Sequence, residues 1–381
     1  MSWPGSAERL RGIAPFRVMA ILARAQALAA AGRDIVHMEV GEPDFPAPDA
    51  VNAAAQAALA RGQTHYTPAL GLPALREAIA SWYDARFGLA IEPARVIVTP
   101  GASGALQLVL SALIDPGDRV GIQDPGYPCN RHMILLYGGE AVAVDSEQAV
   151  ETPGLCGMML ASPANPTGEL IAAERLAGLY RVLRAQRRFL IVDEIYQGLQ
   201  YGTPPQTALM LGEEGLFVIN SFSKFFGMTG YRVGWAVVPE DWVDPIDRLA
   251  QNLFLAPPTL AQHAALAAFD PPVLDELERR RQVFQTRRDR LFAGLRDLGF
   301  ALPSRSPEGA FYLYAGLPES VADDGEIFAQ RLLEEVGVAI TPGSDFGKND
   351  TVRHVRFAYT TEIARIEQGL ERLDRLLTRS G

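Results

Sequence analysis

Lys224 closely follows an apolar run and precedes the aromatic pair Phe225-Phe226. A lysine in such a pocket can have a lowered pKa and act as a nucleophilic amine. Asp193 follows Phe189-Leu190-Ile191-Val192, so it emerges from a buried strand, where a carboxylate needs a cationic partner. Gly101 and Ser103 stand at a strand-to-helix turn and offer backbone N–H groups and a hydroxyl to a phosphate at a helix N-terminus. Ser221, Ser223 and Arg232 add two more hydroxyls and a fork-shaped cation for the same anion. Amine, carboxylate and phosphate cradle together suit a phosphorylated aldehyde with a ring nitrogen that must be protonated. Pyridoxal phosphate has those features.

The elements that must position these residues are legible in the hydrophobic pattern. Apolar, β-branched runs at Arg95–Thr99, Arg119–Gln123, Ala141–Val144, Met158–Ala161, Phe189–Val192, Leu216–Ile219 and Gly234–Val238 read as strands. Helical stretches at Ser103–Ile114, Cys129–Tyr137 and Ala173–Gln186 separate most of them. This alternation predicts an α/β class, with a large domain of mostly parallel mixed sheet covered by helices. The short, Gly-containing gap between Ile219 and Gly234 predicts an antiparallel last pair. Five clusters follow predicted strands: Pro100–Gly104, Asp124–Pro128, Ser162–Gly168, Asp193–Tyr196 and Ser221–Lys224. Ligands of open α/β sheets bind at that carboxyl edge, so the five describe one large site.

From Val273 to Leu298 a long helix is expected, with Leu277, Phe284, Leu291 and Leu298 on one face. The six arginines between Arg279 and Arg290, interspersed with acids, read as a solvated face. Strand candidates Phe311–Ala315 and His354–Ala358 and an N-terminal helix complete a smaller α+β domain built from both chain ends. The expected division is 1–45 (small domain), 46–275 (large cofactor-binding α/β domain) and 276–381 (remainder of the small domain).

Composition excludes other classes. The 381 residues carry 35 Lys plus Arg and 45 Asp plus Glu, a net charge of −10, which disfavours a general nucleic-acid binder. Cys129 and Cys156 cannot build a disulfide framework, and the five histidines lack ligand spacing, so no metal is expected. The N-terminus MSWPGSAERLRG lacks an apolar signal region, and Val18–Ala31 is too short to span a bilayer. A cytoplasmic enzyme is the expectation. Gly343–Lys348 resembles a phosphate-binding P-loop, but its glycines are one residue too close and Asn349 replaces the Ser/Thr.

The segment SFSKFFGMTGYRVGW (Ser221 to Trp235) resembles the lysine segment of the class I/II, fold-type I aminotransferases of the aspartate aminotransferase superfamily. The resemblance continues through GEPDF at Gly41, HYTPALGLPALREAIA at His65, TPGASGAL at Thr99, DPGYP at Asp124, SPANPTG at Ser162, VDEIYQGL at Val192 and HVRFAYT at His354. It implies a pyridoxal-phosphate enzyme that moves an amino group from an L-amino acid to a 2-oxo acid by ping-pong kinetics. Lys224 would hold the cofactor as a Schiff base and shuttle the Cα proton. Asp193 would pair with the pyridine N–H, Asn165 and Tyr196 would bond the ring hydroxyl, and Tyr127 would stack on the ring. Ala102 (through its backbone), Ser103, Ser221, Ser223 and Arg232 would hold the phosphate. Tyr66 would reach the phosphate of the other subunit, implying a homodimer with shared sites. Arg356 would clamp the substrate α-carboxylate with Gly41 nearby, and a cis bond is expected within Asn165–Gly168.

Rival chemistries are a β-lyase, a decarboxylase or a cyclopropane-carboxylate synthase on the same fold. More remote is a Ser-Lys acyl hydrolase, from the S-x-x-K spacing of Ser221 and Lys224. A non-catalytic regulator is disfavoured because the family pattern starts within about the first fifteen residues, leaving no room for a DNA-binding domain. The 145–157 segment is shorter than in relatives and is expected to be a loop. No motif names the residue that reads the substrate side chain. Ile13–Phe16 and Pro307–Tyr312 are apolar or aromatic pocket candidates, favouring a neutral or aromatic donor with 2-oxoglutarate as acceptor.

Overall fold

Residues 5–144, 152–349 and 351–380 are described by a computed structural model of the chain. In chain order the strands are β1 (Val36–His37), β2 (Val96–Thr99), β3 (Arg119–Ile122), β4 (Glu140–Ala143), β5 (Leu155–Ala161) and β6 (Phe189–Asp193). They continue with β7 (Leu216–Ser221), β8 (Gly234–Val237), β9 (Tyr312–Gly316), β10 (Val338–Ala339), β11 (Thr341–Pro342) and β12 (His354–Ala358).

Seven strands form the main sheet in the order β2-β8-β7-β6-β5-β3-β4. The pairs β3–β4, β3–β5, β5–β6 and β6–β7 are parallel. β8 runs antiparallel to both β7 and β2, as expected for the short gap after Ile219, which holds a single turn at Thr229–Tyr231 instead of a crossover helix. Alternate residues of β6 and β7 enter opposite layers: Leu190, Val192, Leu216 and Val218 pack on one face, and Ile191, Phe217 and Ile219 on the other. Helices cover both faces, so these strands read as continuous apolar runs.

β5 starts three residues earlier than expected, because Leu155 is buried and pairs with Arg119. Residues 155–157 therefore belong to the sheet and not to a loop, while 145–151 lie outside the described residues.

Two small sheets join distant parts of the chain. β1 pairs with β10 in parallel, and β11, β12 and β9 form an antiparallel sheet. The helix Pro271–Asp297 buries Leu277, Phe284 and Leu291 on one face. The expectation of a solvated arginine face fails at two positions. Arg287 and Arg288 are 5 % and 7 % exposed. Arg287 grips the Asp44 carboxylate at 2.7 and 2.9 Å, and Arg288 donates to the Pro307 carbonyl at 2.8 Å. A planar guanidinium can be buried when oxygens meet its fork, and these oxygens come from remote segments.

The helix Arg17–Ala30 has no side-chain cap of its own. Asp345 supplies one from the far end of the chain, accepting from Arg17 N–H at 3.2 Å and Val18 N–H at 3.3 Å. The P-loop look-alike at Gly343–Lys348 thus contributes a helix cap.

Candidate active site

All five strand-end clusters reach the same edge of the main sheet, because β2, β3, β5, β6 and β7 run in one direction. They enclose a cavity of about 310 Å³. Lys224, Asp193 and Tyr196 line it, as do Ala102, Ser103, Ser221, Ser223 and Arg232 at one end. Tyr127, Asn165, Gly41 and Arg356 line the remainder. Tyr66 lies outside this cavity, 82 % exposed.

At one end the helix Gly101–Leu113 begins directly after β2 and aims its first N–H groups at the cavity. Gly101 has φ of +71°, and an added Cβ would stand 2.7 Å from Arg232 Nη2, so glycine is required for the guanidinium to approach the helix terminus. Ser221 Oγ donates to Ser223 Oγ at 3.0 Å and accepts from Ser223 N–H at 3.0 Å. Two hydroxyls, a helix N-terminus and an arginine are the donor set of a phosphate cradle.

Asp193 ends β6 with its carboxylate 5 % exposed and accepts from Ile195 N–H at 3.0 Å. Burial pushes its pKa up to about 6, against the pull of that N–H and of Lys224. A buried acid of this kind is matched by a cationic N–H. Lys224 donates to the Gly41 carbonyl at 2.6 Å, and its Nζ lies 5.8 Å from both the Tyr196 and Phe311 ring centres. Desolvation, helped by Arg356, lowers its pKa to about 8. The donor set therefore fits pyridoxal phosphate at both ends: a cradle for its phosphate and a buried carboxylate for its ring nitrogen.

The Ser-Lys hydrolase arrangement is not formed. Ser221 Oγ faces Ser223 and the Val233 carbonyl, while Lys224 turns to Gly41.

Arg356 is 2 % exposed. Its guanidinium bonds Asn165 Oδ1 at 2.9 Å and the Glu39 carbonyl at 2.6 Å, and lies 4.2 and 4.8 Å from the Tyr312 and Phe346 ring centres. No carboxylate neutralises it among these contacts, so an anion in the cavity finds an unspent charge. Arg353, three residues before Arg356 in the sequence, is spent on the Pro318, Val321 and Asp323 carbonyls. Tyr196 Oη and Tyr312 Oη share a hydrogen bond of 2.7 Å. An added Cβ at Gly41 would fall 1.7 Å from Tyr312 Oη, so the loop needs glycine there. The expected cis bond is present at Asn165–Pro166, with others at Asp124–Pro125 and Ser162–Pro163.

Of the two apolar segments expected near the site, Phe16 and Tyr312 reach the cavity wall. Phe16 meets Tyr127 edge-on at 6.0 Å. Met19, Glu42, Ile195 and Thr229 also line the cavity and were not singled out from sequence. Glu42, Ile195 and Thr229 lie inside the quoted motifs, which could have flagged them; Met19 had only its place in an amphipathic helix.

The family model for aminotransferase class I and II matches residues 33–373. The chain is 38 % identical over 377 residues to the valine–pyruvate aminotransferase of Mycobacterium tuberculosis, covering 95 % of this chain and 96 % of that one. It is 36 % identical to the aspartate aminotransferase of Geobacillus stearothermophilus, covering 97 % and 98 %. The crystal structure of an aminotransferase from Mycobacterium tuberculosis superposes with a TM-score of 0.95 at 37 % identity, covering 99 % of this chain and 100 % of that one.

Proposed function

The chain belongs to the class I and II aminotransferase family, and on that premise we propose which of its residues carry the transfer of an amino group from an amino acid to a 2-oxo acid. The observation that carries the assignment is the convergence of Lys224, Asp193, the phosphate cradle and Arg356 on one cavity. Bound pyridoxal phosphate supplies an electron sink for a carbanion at the substrate Cα.

The chain's own residues do the rest. Lys224 anchors the cofactor and, once released, takes and returns the Cα proton, with a pKa near 8 that suits proton transfer close to neutrality. Asp193 keeps a proton on the ring nitrogen. Asn165 and Tyr196 bond the ring hydroxyl, and Tyr127 covers one ring face. The Ala102 N–H, Ser103, Ser221, Ser223 and Arg232 hold the phosphate. Arg356 orients the substrate α-carboxylate, itself aligned by Asn165 and the Glu39 carbonyl. Truncating one member of a buried charge pair costs about 2–5 kcal/mol. Arg356→Ala is therefore expected to lose about 10²–10³ in kcat/KM, mostly through KM. Initial-rate kinetics over a range of donor concentration check this.

Tyr66 acts on the phosphate of a second copy, making the working unit a homodimer. The division at residues 45 and 275 follows the same reading, with the chain ends joined where β1 pairs with β10. Among the described residues no helix is long and apolar enough to cross a membrane; the cytoplasm is the proposed location.

The donor is a neutral or aromatic amino acid, with 2-oxoglutarate as acceptor. Phe16, Val18, Met19, Val40 and Ile195 give the cavity apolar walls. Its cations, Lys224, Arg232 and Arg356, are all assigned, and Glu42 disfavours a second carboxylate. In a panel of amino acids read at the cofactor's visible band, valine and aromatic donors are expected to outpace aspartate at least about tenfold. A preference for aspartate would overturn the donor assignment.

A further inference from the structure

Immediately behind Asp193 stands a second carboxyl that the reaction does not use. Glu194 is 3 % exposed and is not part of the cavity wall. Its backbone N–H donates to the Ile219 carbonyl at 2.8 Å. Its Oε1 accepts from Ala208 N–H at 2.6 Å, and its Oε2 accepts from Thr207 Oγ1 at 2.9 Å and Gln197 Nε2 at 2.8 Å. Burial this deep is costly for a carboxyl that has no counter-ion among these contacts.

Gln197 Nε2 also donates to the Gln206 carbonyl at 2.9 Å, so both of its hydrogens face oxygens and its orientation is forced. Its Oε1 accepts from Asn220 Nδ2 at 2.8 Å. Asn220 is thereby forced in turn, and its Oδ1 accepts the Ser221 N–H at 2.8 Å. Gln197, Asn220 and Ser221 are 2 %, 2 % and 1 % exposed, so water cannot substitute for a lost partner. The chain of bonds ends on the backbone from which Ser221 and Ser223 hang.

We propose that Glu194 is a positioning residue for the phosphate cradle, setting through Gln197 and Asn220 the backbone that presents Ser221 and Ser223. This rests on the reading that these serines hold the cofactor phosphate. The requirement is for an oxygen at Oε2, which accepts from Gln197 whether or not the carboxyl is ionised. In Glu194→Gln the one remaining oxygen stays on the Ala208 N–H, which is fixed backbone, so the amide NH₂ at the Oε2 position meets the NH₂ of Gln197 and the later links of the relay are misdirected or lost.

The test measures dissociation constants of pyridoxal phosphate and of inorganic phosphate for the cofactor-free protein. Glu194→Gln and Gln197→Glu, each placing like against like, are expected to weaken both ligands about tenfold. The double variant E194Q/Q197E exchanges donor and acceptor, so that an amide NH₂ at position 194 again meets an oxygen at position 197 while the other oxygen at 197 keeps accepting from Asn220 Nδ2. It is expected to recover to within about threefold of the parent, short of full recovery because the Gln206 carbonyl has lost its donor. General damage to the fold would accumulate in the double variant; a relay predicts recovery. Single variants that bind like the parent, or a double as weak as the sum of the singles, would overturn the proposal. Ser221→Ala separates the premise: if it weakens phosphate and E194Q does not, the relay alone falls. If S221A binds phosphate like the parent, both fall.

Discussion

Lys224→Ala is expected to turn over at least about 10⁴-fold more slowly than the parent and to lose the covalently retained cofactor. No other amine lines the cavity. Borohydride reduction followed by peptide mapping should place the cofactor on the Lys224 peptide in the parent and nowhere in the variant. The lowered pKa adds a second expectation. An amine is nucleophilic only when unprotonated, so cofactor uptake by the cofactor-free parent should accelerate with rising pH and level off above about pH 8, well below the 10.5 of an ordinary lysine. A stopped-flow series between pH 6 and about 10.5 reads this directly. Uptake still rising steeply beyond about pH 9 would show an unperturbed amine.

Asp193→Asn is the second large effect, and it has two opposite parts. In the loaded enzyme the buried anion facing the ring N–H is gone, and losing one partner of such a pair costs about 2–5 kcal/mol. Turnover is expected to fall about 10²–10³-fold, since each 1.36 kcal/mol is a factor of ten. In the cofactor-free protein the same substitution should stabilise. Folding raises the Asp193 pKa from 3.8 to about 6, so the folded state resists ionisation. The corresponding stability is present below the unfolded pKa and is lost as pH rises through about 6, amounting to about 3 kcal/mol above it. Thermal melts of cofactor-free protein should therefore find the variant more stable than the parent at pH 7 and nearly equal to it below about pH 4. Equal melting at both pH values would mean that Asp193 is not desolvated. Near-parental turnover would remove it from the ring nitrogen.

Both residues are legible in the sequence because their signals are local. Asp193 and Lys224 each follow an apolar strand, and a strand buried on both faces writes itself as a continuous apolar run. The antiparallel β8 was legible for a similar reason: the gap before Gly234 is too short for a crossover. The cradle residues were legible as strand-end motifs. The roles proposed for Asn165, Tyr127 and Arg356 rest on the family resemblance, since a strand-end position alone does not say what a side chain binds.

Other features depend on partners far along the chain. The arginines of the helix Pro271–Asp297 looked solvated because their neighbours in sequence are acids. Arg287 is buried because Asp44, 243 residues away, meets its fork. Asp345 caps a helix 328 residues earlier, which no local pattern could announce. The two-residue strands β1 and β10 are too short to carry a period of their own and exist only as a pair.

The sequence by itself determined the sheet, its active edge and the chemical groups gathered there, because backbone periodicity and strand-end residues are short-range. Tertiary structure alone decided which charges are buried and which donor meets which acceptor. Those outcomes, from the unspent charge on Arg356 to the relay behind Ser221, depend on desolvation and on contacts across the fold, and neither is a property of neighbouring residues.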